Sequence, residues 1–161
     1  MLRGFDTDTI YYDVVEISAE VQRNLKARPV AFDEIFRQSD IVSLHVPLNS
    51  KTRKLVGRRE LELMKPTAYL INTCRGEVVD EQALYTALND ERIAGAGLDV
   101  LEGEPAPSPD NPLFDLPNVV ITPHSAASSR ESGVRGIEFC YSNIRRVLAG
   151  EPAQALITAV D

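Results

Sequence analysis

The sequence predicts an α/β domain in which helices wrap a doubly wound, parallel sheet. Short apolar segments alternate with amphipathic segments along most of the chain. This alternation is typical of strand–helix–strand units, whose crossovers are right-handed. The chain has 161 residues, of which 43% are apolar, and this is enough for one ordinary core. We therefore expect a single domain over residues 1–161.

Five segments have the length and the β-branched or aromatic bias of strands. These segments are residues 9–14, 40–46, 67–73, 94–101 and 118–122. We expect most of these strands to be covered on both faces, as strands in parallel sheets usually are.

The segments between the strands have the spacing of amphipathic helices. They are residues 18–26, 33–38, 58–64 and 80–89, with Asp80 as a candidate N-cap of the fourth. Residues 102–117 contain too many prolines for regular structure and predict a surface loop. A long closing helix is expected over residues 129–149, ended by Gly150. Its apolar stripe comprises Val134, Ile137, Cys140, Tyr141, Ile144 and Leu148.

Composition excludes several classes of protein. The net charge of -7 and the pI near 4.9 argue against a nucleic-acid partner or an anionic membrane surface, because both need a basic face. Two isolated cysteines, Cys74 and Cys140, predict neither a disulfide framework nor a metal cluster. No apolar stretch approaches the roughly 18 residues of a membrane span, and the N-terminal segment lacks the apolar region of a signal peptide. We expect a cytoplasmic protein.

Polar or ionisable side chains follow every predicted strand. In an open parallel sheet, ligands bind outside the carboxyl ends of the strands, so these residues are site candidates. They are Asp13, His45 with Pro47, Asn72 through Gly76, Asp99 with Glu102 and Glu104, and Thr122 through Ser125. Taken singly, each also fits a solvated loop residue. Together, an arginine, a glutamate and a histidine at one edge could form an anion clamp, an orienting group and an acid/base.

Four blocks carry a resemblance to a known family. "DIVSLHVPLNSKTRKLVG", "MKPTAYLINTCRGEVVDEQAL", "GAGLDVLEGEP" and "NVVITPHSA" resemble the cofactor domain of the D-isomer-specific 2-hydroxyacid dehydrogenases, in the same order and at similar spacing. The resemblance runs along nearly the whole chain. It implies a Rossmann-like fold, NAD as cofactor, a small 2-hydroxy or 2-oxo acid as substrate, and a homo-oligomer, most simply a homodimer.

The resemblance also implies catalytic roles for three residues. Arg75 would bind the substrate carboxylate and polarise the adjacent carbonyl, a task suited to a fork-shaped and permanently charged guanidinium. His124 would take the hydroxyl proton during oxidation and return it during reduction, because an imidazole titrates near neutral pH. Glu104 would orient that imidazole and stabilise its positive charge.

The same resemblance assigns cofactor-binding positions. Asp13 stands where a Rossmann fold offers an acid to the adenosine ribose, and a carboxylate there repels the 2'-phosphate of NADP. Val46 and Pro47 would flank the adenine. The other positions implied on the nicotinamide side are Thr73, Cys74, Arg75, Asp99 and His124. Cys74 is interpreted as a small lining residue, because no base adjoins it in sequence.

The chain also departs from the family pattern. A dinucleotide fold needs a glycine-rich turn between its first strand and helix to hold the pyrophosphate, and residues 1–161 contain no G-x-G-x-x-G. The single G-x-G, Gly95-Ala96-Gly97, opens a predicted strand, and Val100 occupies the position of the third glycine. Residues 1–8 resemble the end of the first helix. We therefore expect a domain that lacks the first strand and the phosphate loop, with no substrate-binding domain.

Two hypotheses follow from the sequence. The first is that the chain is the major part of an NAD-dependent dehydrogenase acting on the CH–OH group of a D-2-hydroxy acid. The second is a catalytically silent module that binds a nucleotide or forms a dimer. An upstream coding sequence with a strand and a glycine-rich turn would favour the enzyme, and stop codons there would favour the module.

Overall fold

The computed structural model describes residues 2–155, which contain six strands and five α-helices. The strands are β1 (Thr9–Tyr11), β2 (Ala27–Pro29), β3 (Ile41–Leu44), β4 (Tyr69–Asn72), β5 (Gly95–Leu98) and β6 (Val119–Ile121). The helices are α1 (Ala19–Leu25), α2 (Phe32–Gln38), α3 (Arg58–Leu63), α4 (Glu81–Asn89) and α5 (Arg130–Leu148). Met1 and residues 156–161, the outer limits of the predicted domain, lie outside the described residues.

The strands form two parallel sheets. β1 pairs with β2, and the other four are ordered β3-β4-β5-β6. All pairs are parallel, which confirms the predicted Rossmann-like α/β class. β2 was not predicted, because its sequence Ala-Arg-Pro lacks apolar alternation and contains a proline. Four described strands, β1, β2, β3 and β6, therefore lie at sheet edges, and β1 does not pair with β3.

The helices begin and end where the sequence provides caps. The side chains of Ser18, Asp80 and Ser129 accept hydrogen bonds from backbone N–H groups in the first turns of α1, α4 and α5. Gly150 follows the last turn of α5 with a φ of 76°, the left-handed conformation that glycine adopts without strain. All five predicted helices are confirmed, with each end within one residue of its predicted position.

The core lies on one side of the four-stranded sheet. Val42 and Leu44 of β3 and Leu70 of β4 are buried, together with Phe36 of α2 and Leu84 of α4. The alternate residues point the other way, and Ile41, Tyr69 and Val120 are exposed. The expectation that most strands are covered on both faces is therefore wrong. Side chains of successive strand residues point to opposite faces, and no described element covers the second face.

The long helix α5 extends away from this core. None of its residues is buried, and the predicted stripe of Val134, Ile137, Tyr141, Ile144 and Leu148 is exposed. The predicted helix is therefore confirmed with each end shifted by one residue, and its apolar stripe has no buried contact in the described part of the chain. No helix within residues 2–155 combines the length and the apolar character needed to cross a bilayer.

Candidate active site

The carboxyl ends of β4, β5 and β6 meet in one row. The backbone N–H of Asp99 donates to the carbonyl of Asn72 at 2.9 Å, and the N–H of His124 donates to the carbonyl of Asp99 at 2.9 Å. These bonds continue the strand ladders into the loops that follow, so the three loops are fixed to one another. The sequence expectation that these polar residues share one edge is confirmed.

Arg75 lies in a tight turn after β4 that Asn72 holds. Asn72 is 1% exposed, its Nδ2 donates to the Arg75 carbonyl at 2.9 Å, and its Oδ1 accepts from the N–H of Cys74 at 3.1 Å. The Arg75 side chain is exposed, and its Nη1 donates to the Cys74 carbonyl at 2.6 Å. No carboxylate among residues 2–155 forms an ion pair with this guanidinium, which leaves its charge open to an anionic ligand.

Asp99 fastens the loop that carries His124. It is 4% exposed, and its Oδ1 accepts from the Thr122 hydroxyl at 2.5 Å and from the Ser125 N–H at 2.8 Å. Its Oδ2 accepts from the Ala126 N–H at 2.9 Å. Burial opposes ionisation, yet these hydrogen bonds and the neighbouring His124 outweigh it and lower the pKa of Asp99. The loop is therefore held by an ionised carboxylate.

His124 and Glu104 form the pair that the resemblance implies. The His124 Nδ1 lies 2.5 Å from Glu104 Oε2, and Glu104 Oε1 accepts from the Leu101 N–H at 3.1 Å. Half of the His124 side chain is exposed, and its Nε2 has no hydrogen-bond partner within the described residues. The second ring nitrogen is therefore available to a substrate. This is the geometry of an oriented acid/base.

The loop that carries Glu104 is packed against the Arg75 turn. A Cβ on Gly76 would lie 2.0 Å from the carbonyl carbon of Leu101, so only glycine fits there. Glu81, in the first turn of α4, accepts from the Glu102 N–H and from Asn111 Nδ2. No sequence pattern marks Glu81 as a site residue, because an acid in the first turn is an ordinary feature of helices.

The remaining predicted positions lie at the ends of other strands. Asp13 follows β1 and is exposed, and its Oδ1 accepts from the Val15 N–H at 2.9 Å while its Oδ2 has no partner among residues 2–155. Val46 is half-buried against the core, and the Pro47 carbonyl accepts from the Thr52 hydroxyl at 2.5 Å.

Three further positions complete the set. Thr73 is exposed and Cys74 is half-buried, and the Cys74 thiol lies 3.0 Å from Asn72 Oδ1. The imidazole of His45 bonds to Ser43 Oγ at 2.8 Å. In the described structure, no hydrogen bond or ion pair joins Asp13 to the row formed by β4, β5 and β6. The structure therefore brings Arg75, Asp99, Glu104 and His124 together and leaves Asp13 apart.

The G-x-G of the sequence is not a phosphate loop. Gly95 and Gly97 lie within β5, where a Cβ on Gly95 would come within 2.6 Å of the Asn118 carbonyl oxygen, and one on Gly97 within 3.0 Å of Ile71 Cδ1. These glycines allow neighbouring strands and side chains to approach closely, and their place in β5 confirms that the G-x-G opens a strand.

The chain is similar in sequence to known enzymes. The chain is 44% identical over 149 residues to a glyoxylate reductase of Korarchaeum cryptofilum, a match that covers 92% of this chain and 44% of the relative. It is 39% identical over 156 residues to a D-3-phosphoglycerate dehydrogenase of Methanocaldococcus jannaschii, covering 96% of this chain and 29% of the relative.

A solved structure is similar in fold as well. The D-isomer-specific 2-hydroxyacid dehydrogenase of Lactobacillus delbrueckii ssp. bulgaricus, in its NAD-complexed form, superposes with a TM-score of 0.87 at 36% identity, covering 97% of this chain and 50% of that one. The chain thus spans less than half the length of the curated relatives and half of this structure. The family described as D-isomer-specific 2-hydroxyacid dehydrogenase, NAD-binding domain, matches residues 1–126. The chain belongs to this family.

Proposed function

We propose that the protein containing this chain is an NAD-linked oxidoreductase that interconverts a D-2-hydroxy acid and the matching 2-oxo acid by hydride transfer. The observation that carries this proposal is the row formed by Arg75, Asp99, Glu104 and His124 along the ends of three adjacent parallel strands. A cation for a carboxylate and an oriented imidazole for a hydroxyl proton are the two groups that this reaction needs from the protein.

Each of the three catalytic residues has a defined role in this proposal. Arg75 binds the substrate carboxylate through two N–H groups and polarises the neighbouring carbonyl. His124 Nε2 removes the hydroxyl proton in oxidation and returns it in reduction. Glu104 keeps Nδ1 occupied and stabilises the positive charge that the ring acquires. When bound, the nicotinamide would accept the hydride from the substrate, or supply it in the reverse direction.

The residues of this chain could bind the adenosine and nicotinamide ends of the cofactor. The free Asp13 Oδ2 at the end of β1 suits the hydroxyls of the adenosine ribose, and it favours NAD over NADP by repulsion. Val46 and Pro47 would line the adenine side, and the backbone of Thr73 and Cys74 the nicotinamide side. Both carboxylate oxygens of Asp99 accept hydrogen bonds from the loop of residues 122–126. We therefore assign Asp99 to the nicotinamide side as the residue that positions this loop. The pyrophosphate has no glycine-rich turn within residues 1–161.

Domain extent, location and assembly belong to the same proposal. We interpret residues 1–161 as a partial NAD-binding domain and assign the reducing cytoplasm, where free cysteines such as Cys74 and Cys140 persist. We also propose a homo-oligomer, because the apolar stripe of α5 is exposed in the single chain.

A catalytically silent dimerisation or nucleotide-binding module is the second candidate, and the uncovered face of the four-stranded sheet favours it.

A chimera separates the two candidates. Residues 1–126 would replace the corresponding segment of the Korarchaeum glyoxylate reductase, and turnover of 2-oxo acids with NADH would be followed. We expect His124→Ala to lower kcat by about 10²- to 10⁴-fold. Arg75→Ala should lower kcat/KM by about 10²-fold while leaving NADH affinity unchanged, because it removes a contact to the acid alone.

Arg58→Ala is the matched control, because Arg58 lies on α3 and pairs with Glu62 rather than with the site. Its kinetics should equal those of the parent chimera. If His124→Ala turned over every 2-oxo acid as fast as the parent, the acid/base role would be wrong. An inactive parent chimera that still bound NADH would favour the silent module.

A further inference from the structure

Glu81 joins the two ends of the surface loop that carries Glu104. Its Oε1 accepts from the backbone N–H of Glu102, and its Oε2 accepts from Asn111 Nδ2 at 2.8 Å. Asn111 in turn accepts from the Leu113 N–H at 3.0 Å, and Leu113 is buried. Both carboxylate oxygens of one helical residue are therefore used to hold an irregular loop.

The first residues of that loop are held from two sides. Gly76 contacts the backbone of Leu101 and Glu102 so closely that a Cβ would lie 2.2 Å from the Leu101 oxygen. Glu81 binds the same backbone from the start of α4. Because Gly76 follows Arg75 directly, this clamp also fixes the loop relative to the backbone of Arg75.

The clamp determines where the Glu104 carboxylate lies. Gly103 turns the chain back with a φ of 84°, which glycine adopts freely. Glu104 Oε1 then returns to the Leu101 N–H at 3.1 Å, and Oε2 reaches His124 Nδ1 at 2.5 Å. Leu101 to Glu104 thus form a closed unit whose position sets the position of the acid that orients His124.

We propose that Glu81 is a positioning residue for the Glu104–His124 pair, acting through the backbone of Glu102. This inference rests on the proposed function for its catalytic meaning, but the geometry it concerns exists in the chain alone. The Glu81 carboxylate bonds to Glu102 and Asn111 and not to the imidazole of His124. A purely helical role, in which a first-turn acid stabilises the α4 dipole, would leave the loop unaffected by its removal.

The pKa of Glu81 reflects both its burial and the hydrogen bonds that its two carboxylate oxygens accept. Burial raises the pKa of Glu81, and the hydrogen bonds from Glu102 and Asn111 oppose this effect. A half-buried carboxylate is unfavourable unless its oxygens are bonded. A residue kept only for helix stability would not need to be buried.

The test uses the ¹⁵N-labelled chain and its two histidines. Long-range ¹H–¹⁵N spectra report the hydrogen bonding of each imidazole nitrogen, and His45, which bonds to Ser43, is an internal reference. We expect Glu81→Ala to change the ring nitrogen shifts of His124 and leave those of His45 unchanged. Exchange of the Glu102 amide hydrogen should accelerate by about 10-fold or more, as expected for one lost hydrogen bond.

Two further variants test whether the hydrogen bonds of Glu81, rather than its charge, hold the loop. Glu77→Ala removes a neighbouring carboxylate whose charge acts on Glu81 but whose side chain does not bond to the loop, so His124 should keep its parent spectrum. Glu81→Gln retains one acceptor for Glu102 but directs an amide N–H group at Asn111. It should preserve the slow exchange of Glu102 and accelerate exchange near residue 111.

The inference is overturned if Glu81→Ala leaves the His124 nitrogens as they are in the parent chain. If that variant does not fold, the parent chain itself decides: a Glu102 amide that exchanges as fast as a solvated loop amide would equally refute the clamp. In the chimera, Glu81→Ala should lower kcat by about 10-fold with KM nearly unchanged, since Arg75 keeps its turn. A changed His124 spectrum with unchanged kcat would support the clamp and count against the acid/base role of His124.

Discussion

Single buried polar residues organise this site. Asn72 and Asp99 are the buried polar side chains of the described core, and each binds the backbone of a loop that presents Arg75 or His124 to solvent. Asn72 fixes the turn of Arg75, and Asp99 fixes the loop of His124. His124 itself has a φ of 51°, a left-handed conformation that is unfavourable for a residue with a Cβ. The bonds to Asp99 stabilise that conformation.

Replacing Asp99 should therefore destabilise the chain in a pH-dependent way. In Asp99→Asn, the amide N–H group would face a backbone N–H of the loop, and we expect a loss of about 1–3 kcal/mol at pH 7. A lowered native pKa gives stability that is present above the unfolded value of 3.8 and is lost as pH falls through the native pKa. The difference between parent and variant should thus shrink below pH 3.8.

Urea unfolding followed by circular dichroism at pH 7 and at several values below pH 4 measures this difference. Asp40→Asn is the control, since Asp40 is exposed and pairs with Lys65 at the surface. An Asp99→Asn variant as stable as the parent at pH 7 would contradict the role of Asp99 in holding the loop.

The proposed preference for NAD over NADP also depends on one residue, Asp13. In the chimera, Asp13→Ala should weaken NADH binding by about 10-fold or more, because it removes a charged acceptor for the ribose hydroxyls. NADPH binding should weaken less or improve, because the repulsion of the 2'-phosphate is removed as well. Fluorescence titration with both cofactors measures the ratio. Asp8→Ala, which removes an exposed acid next to β1, controls for net charge, and equal losses for both cofactors in Asp13→Ala would refute the assignment.

At the scale of elements, the sequence predicts what depends on local pattern. Apolar, β-branched runs located β1, β3, β4, β5 and β6, and the strand-end rule then placed Asn72, Asp99 and Thr122 along one edge. This succeeds because parallel pairing puts Asn72 opposite Leu98, and Leu98 opposite Ile121, so residues that follow the strands are neighbours. The site was thus predictable from the order of strands and the residues at their ends.

What the sequence could not predict depends on contacts distant along the chain. β2 contains an arginine and a proline, and only its pairing with β1 makes it a strand. The bond from Glu102 to Glu81 joins residues 21 positions apart, and no local pattern marks it. The stripe on α5 and the alternate residues of the sheet are apolar in sequence, but sequence does not say what covers them.

At the scale of the whole molecule, the candidate site lies at the edge of a four-stranded sheet that is not joined to the sheet of β1 and β2. The sheet is divided in two, β1 and β3 lie at edges, and apolar side chains such as Ile41, Tyr69 and Val120 are exposed on one face. Unpaired strand edges and exposed apolar faces favour association with other chains. Arg75 and His124 are open to solvent in the described structure. Water therefore competes with any substrate for hydrogen bonds to these two side chains.

Residues 1–161 alone should therefore associate and turn over 2-oxo acids poorly. We expect kcat/KM to lie at least about 10²-fold below that of the chimera, because misplaced reactants lose that much rate. Light scattering should give a mass above the 17.8 kDa of one chain. The His124→Ala version of the same chain measures the background from contaminating enzymes. Rapid turnover by a 17.8 kDa monomer would contradict this prediction if His124→Ala abolished it. Such a result would mean that Arg75, Glu104 and His124 can act without a continuous sheet and without a second domain that covers the site.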